Sequence, residues 1–147
     1  MSEKIKILFL CTGNSCRSQM AAGWARKLKS SSVEAYSAGI EKRGLDPLAV
    51  KAMAEAGEDI SAQRSKIIAE LPDRTFDYVV TLCGHAHETC PVFFGPTRKI
   101  HVGFEDPPAL SETAATEEEA LVHYRRVRDE IRAFVEHLPQ SLHEREE

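Results

Sequence analysis

The chain has 147 residues, of which 42% are hydrophobic and 29% charged, and its formal net charge is −4. This length and composition suit one soluble globular domain over 1–147 with a proper hydrophobic core. The acidic balance argues against nucleic acid or an anionic membrane as the main partner, so an anionic ligand would need a local positive pocket.

Residues 5–10 (IKILFL) read as a short buried strand. The run is too short for a signal-peptide core or a membrane span. The expected location is therefore the cytoplasm. There, four cysteines point to catalysis, redox chemistry or metal binding rather than a structural disulfide framework. A helix is predicted from about Arg17, with Met20, Ala21, Trp24 and Leu28 on its apolar face. Residues 33–37 read as a second strand, ended by Gly39. Asp46-Pro47 is an N-cap followed by proline at the first helical position, opening a helix to about Ala56. A further helix is predicted over 65–71.

Residues 76–82 (FDYVVTL) are a buried, β-branched third strand, and 99–102 suit a fourth. Thr116 and Glu119 form a capping box for a long terminal helix. Its apolar face carries Leu121, Tyr124, Val127, Ile131, Phe134 and Val135, all expected to be used by the core, which predicts a monomer. The charged tail, 140–147, is expected to fray. Strands alternating with helices imply an α/β domain with a four-stranded parallel sheet covered by helices on both faces. Ligands in such folds sit at the carboxyl ends of the strands. Cys11 and Cys83 both follow predicted strands, so they can come close together.

The segment Cys11-Thr12-Gly13-Asn14-Ser15-Cys16-Arg17-Ser18 lies between a strand and a helix. Successive backbone N–H groups in such a turn form an anion-binding nest, and the helix N-terminus adds positive potential. Gly13 permits positive φ, and Asn14 tolerates it. Arg17 can grip two oxygens of a tetrahedral oxyanion. Cys11 would point into the nest as a thiolate nucleophile, and Ser18 can donate a hydrogen bond to it. The alternative is a structural turn around a buried cysteine, but a cysteine, five intervening residues, then Arg and Ser after a buried strand is a specific arrangement.

This loop resembles the signature of low-molecular-weight tyrosine phosphatases and of the thioredoxin-coupled arsenate reductases that share their fold. The run CTGNSCRSQMAAGW is very similar to the reductase branch, and the resemblance covers nearly the whole chain from about Lys4. It implies that Asp106, in Glu105-Asp106-Pro107, is the general acid over the nucleophile. Expelling oxygen from arsenic or phosphorus needs such a proton. Taken alone, Asp-Pro is also a common turn pair. Glu105 would be aimed elsewhere.

A phosphatase needs one nucleophilic cysteine, yet this chain also has Cys83 and, seven residues on, Cys90. The run Val80-Thr81-Leu82-Cys83 with that second cysteine resembles the reductase redox segment. The resemblance implies a relay. Cys11 attacks arsenate, Cys83 attacks Cys11 as arsenite leaves, Cys90 attacks Cys83, and thioredoxin reduces the Cys83–Cys90 disulfide. A glutaredoxin or a small thiol could also face such a disulfide. Seven residues of helix rise about 10 Å, whereas a disulfide needs Cα atoms about 4.4–6.8 Å apart. A helical segment here would have to unwind on oxidation, with Gly84 as a hinge and Pro91 stopping the helix.

Two other readings of the pair are open. Both cysteines could be small buried hydrophobes. Cys83, His85, His87 and Cys90 could also bind zinc, but their spacing matches no standard zinc site. No metal or cofactor is expected. Cys16 stays outside the relay, with a protective disulfide to Cys11 as a minor possibility. Some reductases that the chain resembles carry a potassium site near the loop. Asn14 and Ser37 match that site, while Ala22 and Lys66 replace carboxylates, which suggests a lysine ammonium in place of the cation. The aromatic pair that many phosphatases of the fold use to clasp an aryl group is missing from Pro107-Pro108-Ala109. A phosphatase acting on phosphotyrosine or small aryl phosphates is the second reading, using Cys11, Arg17 and Asp106. The segments 43–44 and 91–98 also depart from the expected pattern, and no function is drawn from them.

Overall fold

A computed structural model describes residues 4–72, 75–90 and 97–143. Four parallel strands form one sheet: β1 (Ile5–Cys11), β2 (Val33–Gly39), β3 (Tyr78–Thr81) and β4 (Arg98–His101), in the order β2-β1-β3-β4. Side chains alternate between the faces of a strand. Ile7, Leu8, Phe9 and Leu10 are all fully buried in β1, as are Val79 and Val80 in β3, so both faces of the sheet are covered. The expected α/β architecture with a four-stranded parallel sheet is what the chain adopts.

The helices are α1 (Arg17–Leu28), α2 (Pro47–Glu55), α3 (Gly84–Thr89), α4 (Pro107–Leu110), α5 (Glu117–Glu136) and α6 (Gln140–His143). Every residue of α1 from Ser18 to Ala25 is buried, so it is a central helix rather than an amphipathic surface one. It packs on α5, whose Leu121, Tyr124, Val127, Ile131 and Val135 are buried as expected. Asp46 caps α2, its carboxylate accepting from Leu48 N at 2.9 Å. Thr116 caps α5 by accepting from Glu119 N at 3.1 Å, and the Glu119 carboxylate accepts from Ala115 N at 2.8 Å. None of the helices among the described residues is long and apolar enough to cross a membrane.

The helix expected over 65–71 shrinks to a single 3-10 turn, Ile68–Glu70. Its polar groups bond elsewhere. Lys66 N donates to Asn14 Oδ1, Ser65 Oγ donates to the Gly13 carbonyl, and the Lys66 carbonyl accepts from Gly39 N. Part of the tail expected to fray is ordered: 140–143 form α6, where Leu142 is fully buried and His143 Nδ1 lies 3.1 Å from Tyr78 Oη. Residues 144–147 and Pro91 lie outside the described residues.

The strand order positions the site. From β1 the chain crosses to β2 on one side and later returns as β3 on the other, which is a topological switch point. Leu82 N continues the ladder to the Leu10 carbonyl at 2.9 Å, and Phe104 N continues it to the Leu82 carbonyl at 3.0 Å. The segments after β1, β3 and β4 therefore meet at one end of the sheet.

Gly39, at the end of β2, lies against the first of these segments. A Cβ there would meet the Glu41 carbonyl at 2.4 Å, Asn14 N at 2.7 Å and the Thr12 carbonyl at 2.8 Å, all of them backbone. Gly39→Ala is expected to destabilise the fold by about 1–3 kcal/mol in denaturant titration, since backbone atoms must shift. An unchanged midpoint would show that the close approach is not enforced.

Candidate active site

Residues 11–16 lead from β1 into α1, and a strap over 40–46 crosses them. Ile40 N donates to the Cys11 carbonyl (3.2 Å), Glu41 N to Thr12 (2.9 Å), Arg43 N to Gly13 (3.0 Å) and Asp46 N to Ser15 (3.0 Å). These carbonyls are thus held by the strap. A trans peptide carries its N–H on the opposite edge. The N–H groups of Thr12, Gly13 and Cys16 are therefore left for the pocket that these residues line. The pocket, of about 160 Å³, is bounded by Cys11, Thr12, Gly13, Ser15, Cys16, Arg17, Arg43, Asp106 and Pro108.

The positive φ in the loop falls on Asn14, at 48°. Gly13, which would permit one, is not among the residues with positive φ. It is needed for space instead, because a Cβ there would meet Arg43 Cδ at 2.6 Å. The strain at Asn14 is offset by its side chain. Its Oδ1 accepts from Lys66 N (2.8 Å) and Gln19 Nε2 (3.0 Å), and its Nδ2 donates to Ser18 Oγ (2.8 Å). The same Ser18 Oγ lies 2.9 Å from Cys11 Sγ, where its O–H can donate to a thiolate. Asn14, Ser18 and Gln19 are fully buried, so these polar atoms depend on one another.

Arg17 is nearly buried. Its Nη1 donates to the Phe104 carbonyl at 2.8 Å, and its Nη2 lies 3.5 Å from Asp106 Oδ1. One guanidinium thus joins the loop to the segment after β4. Asp106 is the N-cap residue of α4 but makes no cap hydrogen bond with its side chain, which is 40% exposed and borders the pocket. Glu105 pairs with Arg126 of α5 at 3.1 Å and, as expected, is aimed elsewhere.

Cys83 sits beside the loop. Its sulfur is 3.1 Å from Thr12 Oγ1 and accepts from Ala86 N at 3.3 Å, capping α3. Cys90 is half-buried at the other end of α3, where burial pushes its thiol pKa up against the opposing charge of Lys99. Burial also raises the pKa of Cys16, with Asp46 adding to the effect, so Cys16 remains a neutral thiol at the pocket wall. No disulfide joins the four cysteines. Among the described residues there is no group of three or more His, Cys, Asp or Glu that could hold a metal ion.

Four contributors had no functional reading in the sequence. Arg43 and Pro108 line the pocket, Gly39 lets the strap approach, and Asp46 was legible only as a helix cap. The second oxygen of Asp46 accepts from Tyr124 Oη at 2.6 Å, tying α5 to the strap. Burial, then Asp46, push the Tyr124 phenol well up, so it remains a proton donor. The Asp-Pro pair at 46–47 signals the cap, but no local pattern signals the contact with Tyr124.

The family model for low molecular weight phosphotyrosine protein phosphatase matches residues 6–147. An arsenate reductase of Halalkalibacterium halodurans is 50% identical over 131 residues, 89% of this chain and 91% of that one. Among solved structures, an arginine phosphatase from Geobacillus stearothermophilus superposes with a TM-score of 0.70 at 26% identity, covering 95% of this chain and 94% of that one. A thioredoxin-dependent arsenate reductase of Corynebacterium glutamicum gives 0.61 at 27% identity, covering 91% of this chain and 63% of that one. With a match over nearly its whole length and this loop at its centre, the chain belongs to the low molecular weight phosphotyrosine protein phosphatase family.

Proposed function

We propose that this protein reduces arsenate to arsenite through a relay of Cys11, Cys83 and Cys90, regenerated by thioredoxin. The observation that carries this reading is the position of Cys83, whose sulfur touches Thr12, the residue next to Cys11. A hydrolase working through Cys11 alone has no use for a second thiol there. The relatives named as arsenate reductases support the same reading.

Arsenate binds in the loop 12–18, with its oxygens on the N–H groups that face the pocket, those of Thr12, Gly13 and Cys16 among them, and on the Arg17 guanidinium. The Cys11 thiolate, steadied by the Ser18 hydroxyl, attacks arsenic and forms an S–As bond. Asp106 protonates the departing oxygen, which leaves as water. The Cys83 thiolate then attacks Cys11 Sγ. A Cys11–Cys83 disulfide forms, the S–As bond breaks, and its electron pair reduces As(V) to As(III), released as arsenite. The Cys90 thiolate attacks Cys83 Sγ, which frees Cys11 and leaves the Cys83–Cys90 disulfide. Thioredoxin supplies two electrons and two protons to reopen it.

The second reading is a phosphatase, favoured by the family's name and by a shared requirement for Cys11, Arg17 and Asp106. The two readings part at Cys90. With arsenate, thioredoxin, thioredoxin reductase and NADPH, wild type is expected to turn over steadily, and Cys90→Ser to stop after about one equivalent. No arsenate-dependent NADPH oxidation, together with p-nitrophenyl phosphate hydrolysis that survives Cys90→Ser, would establish the phosphatase instead.

The relay requires α3 to change. Cys83 and Cys90 flank its six residues, a helical rise of about 10 Å between them, which is too far for a disulfide. Unwinding also exposes Cys90, relieving the burial that keeps its thiol protonated. Faster amide hydrogen exchange over 84–89 is expected in the oxidised protein than in the reduced one. Equal exchange in the two states would sink this step.

Lys66 supports activity without potassium. The two residues that match the potassium site both bond to it: Asn14 Oδ1 accepts from its backbone N–H, and Ser37 Oγ lies 3.4 Å from its ammonium. Burial, then Arg26 and Arg64, pull the pKa of that ammonium down. Replacing sodium chloride with potassium chloride is expected to leave kcat/KM unchanged. Strong stimulation specific to potassium would count against the substitution.

A further inference from the structure

Two arginines line the pocket, and only one has been given a task. Arg17 is almost buried and fixed by Phe104 and Asp106. Arg43 is different. Its root is fixed, because its backbone N–H bonds to the Gly13 carbonyl and its stem lies over Gly13. Its side chain is 57% exposed, and its Nη2 donates to Glu41 Oε1 at 2.8 Å, an acid that is itself 54% exposed. An ion pair this exposed is worth little and exchanges readily. A tetrahedral oxyanion in the loop would offer Arg43 a better partner with more than one oxygen.

The electrostatics favour such a role. The chain carries −4 overall, and Asp106 stands at the rim of the pocket. A multiply charged anion must overcome both. Cys11 and Asp106 each lie within electrostatic reach of the Arg43 guanidinium.

We infer that Arg43 is a second oxyanion-binding cation, paired with Glu41 and transferred to an anion when one binds in the loop. This rests on the oxyanion reading of the loop and adds a determinant of affinity and charge selection to it. Glu41 becomes an internal competitor of the substrate. Removing Glu41 should tighten binding, and removing the Arg43 charge should weaken it.

The test uses inorganic phosphate, which has the tetrahedral shape of arsenate but accepts no electrons from the thiols. The reduced full-length protein is alkylated with iodoacetamide at increasing phosphate, and modification of Cys11 is read by mass spectrometry. Phosphate should protect Cys11 in the wild type. Arg43→Gln, which keeps most of the stem over Gly13, should weaken protection about tenfold. Glu41→Gln should strengthen it roughly twofold to fivefold. Both differences should shrink as sodium chloride is raised, which a merely structural effect would not do. Equal protection in wild type and Arg43→Gln would overturn the role of Arg43 while leaving the loop as an oxyanion site. Unchanged or weaker protection in Glu41→Gln would overturn the competition. No protection of the wild type would overturn the oxyanion reading and this inference together.

Discussion

The backbone of 40–46 donates to the carbonyls of Cys11, Thr12, Gly13 and Ser15, and the pocket depends on that one-sided bonding. A free loop of this composition would turn its peptide planes either way and satisfy them with water. Here the carbonyl edges are occupied, so amide edges are left for a ligand, with no reorganisation when an anion arrives. The constraint reaches β2, because Gly39 must lack a side chain for the strap to come so close. It also reaches α5, because Asp46, whose N–H holds the Ser15 carbonyl, is held in turn by Tyr124.

A second layer surrounds Cys11. Asn14 is in the left-handed region, and its buried amide connects Lys66, Gln19 and Ser18. The orientation of that amide follows from its partners: a backbone N–H requires an oxygen on one side, which leaves the amino group for Ser18. Ser18 Oγ in turn contacts Cys11 Sγ. The loop backbone and the surroundings of Cys11 are thus coupled through Asn14, though it does not line the pocket.

The same end of the sheet joins a long, buried helix and a short one. Cys11, Arg17 and Ser18 belong to the junction of β1 and α1. Cys83 lies at the boundary, held by Thr12 and by the first turn of a six-residue helix. Such a helix has little cooperative stability of its own. A relay in which thiols must successively meet needs this combination of a fixed nucleophile and partners on a segment that is cheap to unwind.

The sequence by itself determined the strands, most of the helices and the loop that Cys11 opens, because these are local signals of apolar periodicity, cap residues and one compact motif. It also marked Asp106 and the pair of Cys83 and Cys90. Tertiary structure alone decided that Ser65 and Lys66 bond to the loop and to the end of β2 rather than start a helix, since these polar groups find partners more than twenty residues away. It decided that Leu142 anchors the tail, that Gly13 provides space rather than positive φ, and that Arg43 stands on the pocket wall. Each of these depends on a contact between segments distant in the chain, and periodicity and capping describe only what a residue does with its near neighbours.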